Sequence, residues 1–101
     1  TDVMMLDEAT SNLDIRHALH LLNLFRDQVD RQQRTLIAVF QDINLAAMYC
    51  DDLLFMKDGQ VAVHGETEAV LNPGTLHDIY GVRAQVTYRK EAQAPQVVYR
   101  R

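Results

Sequence analysis

The pattern of apolar and polar positions divides this chain into short segments of two kinds. Val3-Met4-Met5-Leu6 is a continuous apolar run that stops at Asp7-Glu8. Thr35-Leu36-Ile37-Ala38-Val39-Phe40 is a second such run, rich in branched residues, and stops at Gln41-Asp42. Uninterrupted apolar runs of this length suit strands of a parallel sheet buried on both faces. Between them Ile15, Ala18, Leu19, Leu22, Phe25 and Val29 recur at helical spacing, with Arg16, Asn23, Arg26, Asp27 and Asp30 largely on the opposite face. This predicts an amphipathic helix from about residue 15 to about 32. Strand, helix and strand make a βαβ unit with parallel strands and a right-handed crossover. The ends of both strands then share one sheet edge, where open α/β folds bind ligands.

Beyond Asp42 the elements are shorter. Ile43 to Cys50 reads as a helix capped by Asp42 and ended by Asp51-Asp52. Leu53 to Met56 and Val61 to His64 read as a hairpin around Lys57-Asp58-Gly59-Gln60, because Asp-Gly supplies the positive φ that tight hairpins need. Glu66 to Leu71 is expected as a short helix closed by Asn72-Pro73-Gly74. Thr75 to Tyr80 is expected as another, ended by Gly81. Val82 to Tyr88 alternates like a strand, Glu91 to Gln96 reads as a loop, and Val97-Val98-Tyr99 is expected to pair back on the preceding strand. No internal repeat is visible.

Composition changes this picture little. The 101 residues suffice for one modest core. With 48% apolar and 24% charged residues, disorder of the whole chain is excluded. A net charge of -4 provides no basic footprint, so nucleic acid is not an expected partner. The single cysteine, Cys50, cannot form an internal disulfide, which agrees with a reducing compartment, and its apolar helical setting suggests a buried, inert thiol. No run approaches the roughly 20 apolar residues of a membrane span, and no signal peptide opens the chain. The chain opens inside a strand-like run, so a fragment of a longer protein is expected. His17 and His20 lie three apart on the first helix; without a clear third ligand they read as solvated helix residues rather than a metal pair.

The candidate chemistry lies at the strand ends. Successive strand residues point to opposite faces, so Asp7 and Glu8 can take different tasks, one holding a metal ion and the other orienting a water. The stretch of four apolar residues, Asp7-Glu8-Ala9-Thr10-Ser11 and Asn12-Leu13-Asp14 resembles the Walker B strand and D-loop of an ABC-type ATPase, with Ala9 where the family commonly has Pro. Thr35 to Ala47 resembles the H-loop region of the same family: a strand, a switch residue, an Asp and a short Ala-rich helix. The Lys57 to Gln60 hairpin and the Gly65-to-Pro73 stretch follow in family order, and the match covers residues 2 to 82. One departure concerns chemistry. Gln41 stands at the position of the switch His; an amide donates hydrogen bonds but carries no titrating proton.

The resemblance implies an α/β fold that is the C-terminal part of a P-loop NTPase-type domain: a parallel βαβ core, a β-hairpin, and short C-terminal helices and strands. Residues 1–82 would be the C-terminal part of the ATPase domain and residues 83–101 an extension forming a strand pair. It implies ATP and Mg2+ as cofactors, with Asp7 supporting magnesium through water, Glu8 polarising the attacking water and Gln41 facing the γ-phosphate. Ser11 to Asp14 would touch a second ATP-binding subunit across the nucleotide. It also implies transmembrane permease partners, and a peripheral location at the cytoplasmic face of the membrane. No Gly-x-x-x-x-Gly-Lys-Ser/Thr loop and no Leu-Ser-Gly-Gly-Gln signature occurs in the 101 residues, so the chain alone is expected to be inactive. Gln41-Asp42-Ile43-Asn44-Leu45-Ala46-Ala47 and Leu76-His77-Asp78-Ile79-Tyr80-Gly81-Val82 are most similar to the ATPases that drive bacterial uptake of ferric siderophores, haem or cobalamin. The alternative function is a non-catalytic folded or dimerisation module derived from an ABC ATPase. A DNA-repair or translation ATPase of the same superfamily is disfavoured by the absence of coiled-coil heptads and of a second copy.

Overall fold

The computed structural model describes residues 3–7, 15–32 and 35–101. The chain divides into two compact units, Thr1–Asp42 and Ile43–Arg101.

The first unit contains β1 (Val3–Asp7), α1 (Ile15–Gln32) and β2 (Thr35–Val39). β1 and β2 pair in parallel, from Val3 opposite Thr35 to Asp7 opposite Val39, as the βαβ pattern predicts. On α1, Leu22 is buried, and Ala18, Leu19, Phe25 and Val29 are half-buried. Ile15 belongs to the same helical stripe, yet it is 60% exposed at the first turn. The solvent side carries two i,i+4 ion pairs, Arg26–Asp30 at 3.1 Å and Asp27–Arg31 at 2.8 Å. Such exposed pairs each stabilise a helix by only ~0.3–0.5 kcal/mol, so the helix rests mainly on its apolar stripe. β2 departs from the expected two-sided burial. Ile37 and Val39 are each 53% exposed, while Ala38 and Phe40 are half-buried. One face of β2 is therefore covered and the other is open.

The second unit contains α2 (Ile43–Tyr49), β3 (Asp52–Lys57), β4 (Gln60–Glu66), α3 (Thr67–Val70), α4 (Pro73–Tyr80), β5 (Ala84–Arg89) and β6 (Ala94–Tyr99). β3 and β4 form an antiparallel hairpin with an irregularity between Phe55 and Met56. Its turn has Asp58 and Gly59 at φ 53° and 77°, the doubly positive geometry of a type I′ turn. Along β3, Leu53 and Phe55 are buried while Leu54 and Met56 are exposed, the alternation of a strand with one covered face. The core adds Leu45, Ala46 and Ala47 from α2, Leu71, Leu76 from α4, and Ala84, Ala94 and Val97 from the last hairpin. Leu76 is completely buried, which favours folding by roughly 1.5–3 kcal/mol. Phe55 meets Tyr80 edge-on, with ring centroids 6.3 Å apart.

Two expectations are corrected here. Asn72-Pro73-Gly74 opens α4 rather than closing the helix before it. Asn72 Oδ1 accepts the Thr75 N–H at 2.8 Å, and Pro73 occupies a first-turn position, where its missing N–H leaves no donor unsatisfied. β6 begins at Ala94, not Val97, so Pro95 lies within a strand instead of a loop. α4 ends as expected at Gly81, whose φ of 68° and N–H to His77 O complete a left-handed cap.

Candidate functional site

The βαβ connection brings the predicted chemistry to one sheet edge. Asp7 is the last residue of β1 and lies in register with Val39, the last residue of β2. Gln41 follows Val39 by two residues and is an exposed bend residue. The ends that carry Asp7 and Gln41 thus face the same way because the strands are parallel, and β1 stops where its sequence turns from apolar to acidic. Glu8, Ser11 and Asp14 lie outside the described residues.

Two other sequence candidates resolve plainly. His17 and His20 are both exposed on α1, and no group of three or more His, Cys, Asp or Glu that could hold a metal ion occurs among the described residues. Cys50 is half-buried, less enclosed than expected. Its carbonyl accepts the Thr67 hydroxyl at 2.7 Å. The shifted ionisations lie elsewhere: burial pushes the Tyr49 hydroxyl up, and burial followed by the nearby Tyr99 pushes the Tyr80 hydroxyl up. No described helix is long and apolar enough to cross a membrane.

Sequence reading passed over Asn44 and Gln96. Asn44 bonds the backbone of Val97 with both ends of its amide, and Gln96 Nε2 donates to Asn44 O at 3.1 Å. A polar residue in the first turn of a short, otherwise apolar helix was the available signal.

Open α/β sheets bind ligands outside the carboxyl ends of their strands, and Asp7 stands at such an end with Gln41 just beyond the other. Comparison with known proteins narrows that class. The chain is 38% identical over 84 residues to the cobalamin import ATP-binding protein BtuD of Halobacterium salinarum, covering 83% of this chain and 21% of that protein. It is 35% identical over 99 residues to the petrobactin import ATP-binding protein FatE of Bacillus anthracis, covering 98% of this chain and 39% of that protein. The hemin import ATP-binding protein HmuV of Bordetella avium is 39% identical over 83 residues, covering 82% of this chain and 32% of the relative. Among solved structures, a metal-chelate-type ABC transporter in an inward-facing conformation superposes with a TM-score of 0.76 at 21% identity, covering 98% of this chain and 39% of that one; this likeness establishes the fold. No protein-family model matches the chain. The chain is therefore homologous to a C-terminal part of the ATP-binding proteins of ABC importers, and it spans between a fifth and two fifths of the length of the relatives named here.

Proposed function

We propose that these residues are the C-terminal part of the ATP-binding subunit of an ABC importer. The intact protein hydrolyses Mg-ATP to drive uptake of a ferric siderophore, haem or cobalamin. Residues 1–82 belong to the ATPase domain and residues 83–101 extend it. The observation that carries this reading is the parallel register of β1 and β2, which aligns the strand ends at Asp7 and before Gln41, together with homology to import ATP-binding proteins.

The donor chemistry fits a magnesium nucleotide. Mg2+ prefers oxygen ligands and is usually held by one or two carboxylates plus substrate phosphates, not by an all-protein cage. Asp7, the last residue of β1, is one such carboxylate. Bound magnesium would neutralise charge on the phosphates. Asp7 supports the ion through water, and Glu8 orients the attacking water. The Gln41 amide donates toward the γ-phosphate. Ser11 and Asp14 lie in the segment that meets a second ATP-binding subunit. Phosphoryl transfer needs this positioning more than covalent chemistry. The subunit works peripherally, at the cytoplasmic face of the membrane, with transmembrane permease partners.

Steady-state ATPase of the intact protein tests the assignment, with nucleotide affinity measured separately. Glu8→Gln is expected to leave affinity intact and lower hydrolysis by about 10²–10⁴-fold, the usual contribution of a positioned acid or base. Gln41→Ala removes one hydrogen-bond donor and should cost less, about 1–3 kcal/mol in the transition state. Gln41→His should raise turnover by restoring a donor that can also carry charge. Unchanged hydrolysis in Glu8→Gln would remove Glu8 from the mechanism, and equal rates for all residues at position 41 would remove Gln41.

A further inference from the structure

The last hairpin carries the opposite charge to the rest of the chain. Residues 83–101 hold Arg83, Arg89, Lys90, Arg100 and Arg101 against the single acid Glu91, a net of +4. Residues 1–82 hold five basic and thirteen acidic residues, a net of -8. The hairpin register gathers three of the arginines. Ala84 stands opposite Tyr99 and Arg89 opposite Ala94, and Arg100 N donates to Arg83 O at 2.9 Å, which extends the same pairing by one step. Alternate residues of a strand share a face. Arg83, Gln85, Thr87 and Arg89 therefore lie on one face with Val98 and Arg100, and all six are exposed. Ala94 and Gln96 share that face but are covered, and Ala84 and Val97 on the opposite face belong to the core. The open face holds no carboxylate, and among the described residues no ion pair engages Arg83, Arg89 or Arg100. Cross-strand partners such as Arg83 and Arg100 have Cβ atoms about 5 Å apart, and like charges so placed destabilise a hairpin. An anion brought to the face relieves that repulsion.

We propose that the β5–β6 face bearing Arg83, Arg89 and Arg100 is an electrostatic docking surface for an anionic phospholipid bilayer. Arg83 and Arg89 are six residues apart, about 20 Å along an extended strand. One small anion cannot meet charges at that separation, whereas a charged surface meets them together. Peptides are held by a strand edge, a groove or a pocket, and this is the face of a ribbon. Clusters of about four to eight basic residues are drawn to anionic lipid, and Lys90 and Arg101, at the two ends of the hairpin, bring the count to five. Val98, 49% exposed beside Arg100, adds an apolar contact. The acidic remainder of the chain is repelled by the same lipid, so the hairpin leads. This inference rests on the charge of the hairpin and not on the nucleotide site, whose failure would leave it standing.

The test is co-sedimentation of the 101-residue chain with phosphatidylcholine vesicles, with and without phosphatidylserine. The chain is expected to bind only the vesicles that contain phosphatidylserine, and to be released as salt is raised. Arg83→Gln and Arg100→Gln should each weaken binding by about fivefold, and together by about the product. Lysine at both positions keeps the charge and should retain most of the binding. Arg16→Gln makes the same change of net charge on α1, away from the hairpin, and should bind like the parent. If the double glutamine variant does not fold, Thr87→Glu replaces it, since it sets a carboxylate on the same face and should weaken binding to a similar degree. The proposal is overturned if binding does not depend on phosphatidylserine, or if Arg16→Gln weakens it as much as Arg83→Gln, because binding would then follow net charge alone. It is also overturned if the chain holds a polyglutamate peptide or a single-stranded oligonucleotide at the salt concentration that strips it from the vesicles, which would assign the face to a partner of that class.

Discussion

Thr67 illustrates how much a single residue holds in the second unit. It is 5% exposed, and its polar groups all have partners. Its hydroxyl donates to Cys50 O at 2.7 Å, its N–H donates to Asp51 O at 2.9 Å, and its carbonyl accepts from Leu71 N at 3.0 Å. One residue therefore joins the end of α2 to the start of α3 and, through its carbonyl, closes α3's only turn. A helix of four residues cannot sustain itself by propagation, so these bonds and the buried Leu71 are what keep it formed. Thr67→Val preserves the shape but removes the donor that Cys50 O accepts. It is expected to cost about 1–3 kcal/mol, the range for disturbing a buried hydrogen bond. Thr67→Ser keeps the hydroxyl and loses one methyl, about 0.8 kcal/mol. Urea unfolding of both variants decides between them: a Val variant more stable than the Ser variant would mean that packing, not the hydroxyl, matters at this position.

At the scale of elements, the close approach of β4 and α3 turns on a glycine. A Cβ on Gly65 would lie 2.9 Å from Val70 Cγ1, too near for either atom to remain in place. Gly65→Ala should destabilise the chain by about 1–3 kcal/mol. Val70→Ala removes the obstructing methyl, so the double variant should be less destabilised than the sum of the two single changes. Additive losses would place the strain somewhere other than this contact. The role of Gly65 was not legible in the sequence, because close approach is a property of the packed pair. The long elements were legible for the opposite reason. α1 repeats its apolar stripe over several turns, and its observed span of Ile15–Gln32 matches the periodicity. The Asp58-Gly59 turn was legible from dihedral preference alone. Asn72-Pro73 misled because the same pair can end one helix or cap the next, and only the Thr75 N–H bond decides. Pro95 misled because proline is tolerated in a strand wherever its missing N–H faces outward, and the direction depends on register.

For the whole molecule, the candidate site was legible as topology and the open faces were not. Two apolar runs ending in polar residues, joined by a helix, implied that Asp7 and Gln41 lie toward one edge, and the parallel register agrees. Two-sided burial of the second run did not follow, because it needs a covering layer on each face; Ile37 and Val39 remain half-exposed, as do Leu54, Met56 and Val61 on the β3–β4 hairpin. The same incompleteness appears in the chemistry. A nucleotide's phosphates are ordinarily cradled by backbone N–H groups and a Lys from a glycine-rich loop at a helix N-terminus. None of the 101 residues forms that sequence pattern. On the proposed reading these residues supply an acidic strand end and an amide, and the phosphate cradle is supplied from outside them. Calorimetric titration of the 101-residue chain with Mg-ATP is therefore expected to show no measurable binding at concentrations that saturate the intact protein. Titration with Mg2+ alone should show at most a weak, salt-sensitive association, since exposed carboxylates bind the hydrated ion only loosely. Tight Mg-ATP binding to this chain would mean that its own residues contain a phosphate site, and the assignment of that task to a glycine-rich loop outside them would be wrong.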